Sequence, residues 1–214
     1  MNIAVTLRQS RWNYNILQWL TPMMNLSSTT ESHERNNDWF AQILRSQRSG
    51  HTCLPYFLGL NPADFNWLLH KHLCPQRRSR LLNPWQQEKD NAIHQEDLRQ
   101  QLLEMRDDEW QEIRQLLRQY RAGIADSELL IADIVAAACL GGEHLWRDLG
   151  LSSRNELSAL MNVNFPRLAG TNTGDMKWKK FFYKQLCEAG GGYVCRAPSC
   201  DQCTAYDDCF GSED

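Results

Sequence analysis

Residues 126–142 read DSELLIADIVAAACLGG, and this stretch decides the fold. Asp126 or Ser127 is placed to cap a helix, and Gly141-Gly142 is placed to end it. Between them the apolar run Leu129–Leu140 is interrupted only by Asp133. Twelve residues are too few to cross a bilayer, so the run reads as an apolar helix of a soluble fold.

Helical signals continue on both sides. Upstream, residues 96–121 carry Leu98, Leu102, Met105, Trp110, Ile113, Leu116, Leu117 and Tyr120 at the spacing of two amphipathic helices, broken near Arg106-Asp107-Asp108. Trp39, Phe40, Ile43 and Leu44 form an earlier stripe. Asn61-Pro62 sets an N-cap and an N1 proline ahead of Phe65, Trp67, Leu68 and Leu69. Downstream, Ser153 and Glu156 make a capping-box pattern before Leu157, Leu160 and Met161, and Pro166 stops that helix. The last helix is expected from near Asp175 to Glu188, with Trp178, Phe182 and Leu186 facing the core, after which Gly190-Gly191-Gly192 frees the chain. Strand-like alternation is nearly absent. The expected fold is therefore all-α: a helical single domain with a C-terminal cysteine-rich cluster-binding loop. Two segments read as irregular, the polar residues 21–37 (TPMMNLSSTTESHERNN) and residues 75–91, which contain PQRRSR and NPWQQEKDN. The expected organisation is an N-terminal arm at 1–37, a helical domain at 38–190 and a four-cysteine loop at 191–214.

Composition bounds the function. With 214 residues, 42% hydrophobic and 23% charged, the chain has enough apolar material for a core. Its net charge of −3 gives no overall electrostatic case for nucleic-acid binding. The first residues lack the uninterrupted apolar segment of a secretory signal, so the expected compartment is the cytoplasm. No G-x-x-x-x-G-K-[ST] loop and no G-x-S-x-G elbow occurs, which removes a P-loop nucleotide site and a hydrolase nucleophile elbow.

Half of the eight cysteines lie in one short run, Cys195-x4-Cys200-x2-Cys203-x5-Cys209 (CRAPSCDQCTAYDDC). A reducing compartment argues against disulfides. Zinc accepts four thiolates, but zinc ribbons usually place two short-spaced pairs on separate knuckles. Here one run carries all four, with no second knuckle and no nearby histidine. A single loop can wind round an iron–sulfur cluster and reach its separate corners, so the spacing favours iron–sulfur chemistry and leaves zinc open. The glycine triplet permits a sharp turn, and Pro198 restricts the path between the first two ligands. Arg196 is the only basic residue in the run, while Asp201, Asp207, Asp208, Glu213 and Asp214 read as solvated carboxylates. Cys187 reads as a helix thiol packed one turn after Tyr183, with an alternate ligand as the competing role. Cys53, Cys74 and Cys139 have no companion spacing and read as core or incidental.

Four of the six lysines fall in Lys177–Lys184 (KWKKFFYK). Lys177, Lys180 and Lys184 share one helix face and Trp178, Phe182 and Leu186 another, which reads as an amphipathic helix with a basic outer surface. That surface is also a candidate docking face for an anion or an acidic partner. His144 reads as a packing residue at a helix start, with a metal or proton-relay role as the alternative. His70 and His72 point to different faces and do not make a metal pair.

The cysteine run, together with LWRDLGL (145–151) and FPRLAGTNTGDMKWKKFFYKQLCE (165–188), resembles the NifQ family of nitrogen fixation. The resemblance covers residues 140–211 most closely and keeps the four-cysteine pattern without departure. It implies a cytoplasmic, non-enzymatic metal-trafficking protein. Such a protein carries an iron–sulfur cluster, of 4Fe-4S or Mo-Fe-S type, on Cys195, Cys200, Cys203 and Cys209. It also implies donation of molybdenum, taken up as molybdate or in reduced form, to the nitrogenase iron–molybdenum cofactor. The partners implied are the nitrogenase iron protein and the cofactor scaffold complex, with neither nucleic acid nor membrane. Two other classes compete: a zinc-stabilised helical adaptor, and an endonuclease III-like DNA glycosylase, whose cluster loop is spaced C-x6-C-x2-C-x5-C. No L-P-G-V-G-like hairpin is present to support the second.

Overall fold

The structure is a computed structural model that describes residues 21–82, 98–189 and 206–213. Among these residues every regular element is a helix and no strand occurs. In chain order the helices are α1 (Thr21–Arg48), α2 (Pro62–Lys71), α3 (Pro75–Leu82), α4 (98–105), α5 (Asp107–Gln119), α6 (Ser127–Cys139), α7 (Leu145–Leu149), α8 (Arg154–Asn164), α9 (Pro166–Ala169), α10 (Trp178–Ala189) and α11 (Tyr206–Phe210). None is long and apolar enough to cross a membrane.

The apolar stretch that decides the fold forms α6. Apart from half-exposed Leu129, its side chains from Ser127 to Cys139 are buried. A helix apolar on all sides must be enclosed on all sides, and α1, α2, α5 and α7 pack around it. Its small residues allow close approach. At Gly59, where φ is +81°, a side-chain Cβ would lie 2.5 Å from the Cβ of Ala137. The turn before α2 therefore rests directly on α6. Asp133, the one interruption of the run, is neutralised by α5: Arg114 Nε and Arg118 Nε donate to its Oδ1 at 2.9 and 2.7 Å, and Arg118 Nη2 donates to Oδ2 at 2.6 Å.

The cap of α6 differs from expectation. Asp126 makes no side-chain cap. Instead the buried Glu128 carboxylate accepts from the backbone N–H groups of Gly123, Ile124 and Ala125 at 2.6, 2.9 and 2.9 Å. The other local signals form as read. Asn61 caps α2 by accepting from Asp64 N, and Ser153 caps α8 by accepting from Glu156 N. The second half of that capping box shifts by one residue, because Glu156 takes the N–H and hydroxyl of Ser152 and the amide of Gln42. The break between α4 and α5 falls at Arg106, as expected.

Two segments read as irregular are helical. Residues 21–37 belong to α1, which runs unbroken into the Trp39–Leu44 stripe. Its polar anchor is Asn36, fully buried, which donates to Ser127 Oγ at 2.9 Å and to Asn164 Oδ1 at 2.8 Å, and accepts from Asn164 Nδ2 at 3.0 Å. Residues 75–82 form α3 with no buried side chain. Residues 1–20 of the expected N-terminal arm lie outside the described residues, as does 83–91 of the second segment.

The segment 145–151 turns the chain beneath the last helices. Gly150 ends α7 with φ +74°, and a Cβ there would lie 2.2 Å from that of Ser46. Ser46 Oγ donates to Gly150 O at 2.8 Å, so α1 and α7 meet with no room for a larger residue.

Candidate metal centre

Helix α10 positions both ends of the cysteine-rich stretch. Trp178, Phe181 and Phe182 are buried, Leu186 is half-buried, and the helix packs on α5. Phe181 joins the expected core face because it neighbours Trp178 across one turn, with ring centroids 5.8 Å apart at 87°. Tyr183 OH donates to Glu109, whose carboxylate also takes Arg106 Nε and Nη2 at 2.7 and 2.6 Å. Burial raises the Glu109 carboxyl, but the bonds from Arg106 and Tyr183 outweigh it and leave it below its ordinary range. Burial and the Glu109 carboxylate push the Tyr183 phenol far up, so it stays a donor.

Lys179 was missed in the sequence and is the structural lysine of the basic helix. Its Nζ bridges Asp148 Oδ2 at 2.5 Å and Gly141 O at 2.8 Å, and Asp148 is buried. Arg106 Nη1 takes the adjacent Leu140 O at 2.7 Å. Two cations thus satisfy the carbonyls just past the C-terminus of α6, where the helix dipole favours them. Nothing local marks Lys179; the only signal is a basic residue one position after a core tryptophan. Of the face read as basic and outward, Lys180 is exposed, Lys184 pairs with Glu188 at 3.7 Å, and Lys177 turns to the chain end.

The chain end is docked. Beyond the segment 190–205, which lies outside the described residues, α11 lies against the start of α10. Lys177 N donates to Cys209 O at 2.7 Å, and Lys177 Nζ donates to Asp207 O at 2.8 Å. Phe210 stacks on Tyr206, with centroids 4.6 Å apart, and packs over Gly174, where a Cβ would lie 3.3 Å from the ring. Glu213, read as a solvated carboxylate, is buried: its Oε1 lies 3.4 Å from Arg154 Nη1 and 3.8 Å from His144 Nδ1. Asp207 and Asp208 are exposed, as expected. The expectation that the glycine triplet frees the chain is therefore corrected for residues 206–213, which are held on the body.

Of the four candidate ligands, Cys209 is half-buried at this junction. Cys195, Cys200 and Cys203 lie outside the described residues, together with the glycine triplet, Arg196, Pro198 and Asp201. Among the described residues no group of three or more His, Cys, Asp or Glu side chains converges as a metal site. His144 faces Glu213 and so has a packing partner in the chain end. His70 and His72 are divided as expected: His70 Nδ1 lies 2.8 Å from Arg78 Nη1, and buried His72 Nδ1 lies 2.6 Å from Asn37 Oδ1.

Cys53 and Cys139 are poor ligands. Cys139 is core, and burial pushes its thiol far up. Burial and the Asp148 carboxylate push the Cys53 thiol up to about 12. Cys53 Sγ faces the carbonyls of Ala138 and Asp148 at 3.7 and 3.8 Å, beside a cavity of about 280 Å³ lined by Arg99, Leu140 and Gly141. Cys74 is exposed and Cys187 half-buried on α10. Since the thiolate is the reactive species, iodoacetamide at pH 8 is expected to modify Cys53 and Cys139 on the order of a hundredfold more slowly than Cys74. Peptide mass spectrometry reads the rates, and equal rates at Cys53 and Cys74 would contradict the burial argument.

The family model of NifQ matches residues 39–211, from the core stripe of α1 to the docked end of α11. The chain belongs to the NifQ family. It is 52% identical over 186 residues to "Protein NifQ" of Azotobacter vinelandii, covering 85% of this chain and 91% of that one. It is 36% identical over 176 residues to "Protein NifQ" of Klebsiella pneumoniae, covering 81% and 97%. A "Protein NifQ homolog" of Sinorhizobium fredii is 53% identical over 97 residues, covering 45% and 42%. No solved structure matches the chain. The glycosylase and zinc-adaptor readings gain nothing from these NifQ relatives.

Proposed function

We propose that this NifQ-family protein holds an iron–sulfur centre on Cys195, Cys200, Cys203 and Cys209 and carries molybdenum for assembly of the nitrogenase iron–molybdenum cofactor. One observation carries the reading: the four-thiolate run C-x4-C-x2-C-x5-C, whose last member is docked on the helical body while the body itself offers no rival ligand set among its described residues.

The donor set fits the group. Four thiolates in one run with no imidazole suit iron–sulfur units and reduced molybdenum, both of which prefer soft donors. The centre, when bound, would supply a sulfur-rich iron site for molybdenum. The chain's own residues do the rest. The thiolates of Cys195, Cys200, Cys203 and Cys209 hold the centre, and Lys177 fixes the backbone at Cys209. Lys180 leaves a positive charge on the outer face of α10 for an approaching oxyanion or acidic partner. The activity is metal delivery rather than turnover. It takes place in the cytoplasm, with the nitrogenase iron protein and the cofactor scaffold complex as receiving partners.

Anaerobic purification followed by metal analysis and electron paramagnetic resonance tests this. Iron with substoichiometric molybdenum is the expected result. One zinc per chain without iron would overturn it.

A further inference from the structure

We infer that Arg154 is a positioning residue for Cys209, acting through a clasp on Glu213 and a brace on Asp175; the inference rests on Cys209 being a ligand. Arg154 is the first residue of α8 and its side chain is only 18% exposed. One arm of its guanidinium faces Glu213 Oε1 at 3.4 Å, and the other donates to Asp175 O at 2.6 Å and Asp175 Oδ1 at 3.0 Å.

Both targets lead to the same thiol. Glu213 lies four residues after Cys209. Asp175 lies two residues before Lys177, whose N–H grips the Cys209 carbonyl at 2.7 Å. Asp175 also has φ +51°, a left-handed conformation uncommon for a residue with a side chain. Arg154 bonds its carbonyl and its carboxylate together and so holds the turn that presents Lys177. One cation therefore fixes the strand of chain on each side of the Lys177–Cys209 hydrogen bond.

A decorative surface pair would not bury its carboxylate, yet the Glu213 side chain is 5% exposed. A buried carboxylate without its cation is unfavourable enough to leave its site for water. Without Arg154 the chain end then leaves the body from Glu213 inward, past Phe210, and Cys209 loses its fixed place.

The test uses the full chain. In metal-stripped protein, R154M and E213Q are expected to raise the iodoacetamide alkylation rate of Cys209 by about tenfold through local opening. The rate at exposed Cys74 should stay unchanged, with R154K falling between R154M and wild type. In the loaded protein the same variants lose iron to a chelator faster, while circular dichroism shows unchanged helix content. Unchanged Cys209 alkylation in both R154M and E213Q overturns the inference. Should R154M fail to fold, E213Q alone decides, since it replaces a residue outside every helix. If the clasp variants expose Cys209 yet C209A keeps its full iron, the ligand reading fails and the positioning role falls with it.

Discussion

A Cys200→Ala variant, purified anaerobically, is expected to lose both iron and molybdenum while its helical body unfolds at the wild-type temperature. Cys200 and Cys203 form the closest-spaced pair of the run, with two residues between them, a spacing that lets two sulfurs meet in a compact turn. On the proposed reading, removing one of them would leave the centre one thiolate short, and no second ligand set converges among the described residues to take over. Losing a partner outside the ligand shell commonly weakens metal binding about 10–100-fold, so losing a ligand should cost more than that. The body is a separate matter. Its largest fully buried side chains, Phe40, Phe165 and Phe182, all precede the cysteine run. Metal analysis together with thermal unfolding by circular dichroism checks both halves. Full metal retention would remove Cys200 from the ligand set, and a large fall in unfolding temperature would show that the run supports the core. Cys74→Ala, at an exposed position, serves as the neutral control.

The second large effect falls on stability. Lys179→Met should destabilise the fold by about 3–5 kcal/mol, the usual result of removing one partner from a buried ion pair. In a chain of this size that lowers the unfolding temperature by roughly 10 °C or more. Among the described residues Asp148 would keep the Glu143 N–H at 3.1 Å and the neighbouring Cys53 thiol for a carboxylate whose side chain is 5% exposed, and the Gly141 carbonyl would lose its Lys179 donor as well. Adding Asp148→Asn to Lys179→Met removes the stranded charge and should recover most of the loss. A Lys179→Met protein within about 1 kcal/mol of wild type would mean that the pair is solvated.

Local chemistry was legible in this chain and distant pairing was not. Asn61, Pro62 and Ser153 announce their helices because a cap needs only the next three residues. The run 129–140 announces a buried helix because its apolar residues leave no polar face. Residues 21–37 hide theirs: the anchor of that part of α1 is Asn36, a polar residue whose partners, Ser127 and Asn164, are 91 and 128 positions away. Helix α3 hides for a related reason, since it buries nothing and shows no stripe. The sequence offers Asp126 or Ser127 as the cap of α6, but a turn at 123–125 brings three N–H groups onto Glu128, and no cap pattern encodes that. The cysteine spacing was plain to read. That Cys209 is docked was not, because His144, Arg154 and Lys177 come from three separate parts of the chain and meet only in the folded body.

That docking has a consequence for affinity. The cysteine run leaves the body at Ala189, the end of α10, and rejoins it at Lys177, just before the start of the same helix. Twelve residues of helix separate the two attachment points by about 18 Å. The stretch between Ala189 and Cys209 is therefore tied to the body at both of its ends. Joining the ends of about twenty residues has an entropic cost of roughly 2.5 kcal/mol. An open tail would meet that cost on capturing its cargo; here it is met when the helices assemble, and it lowers the affinity of the empty protein for metal by that much less.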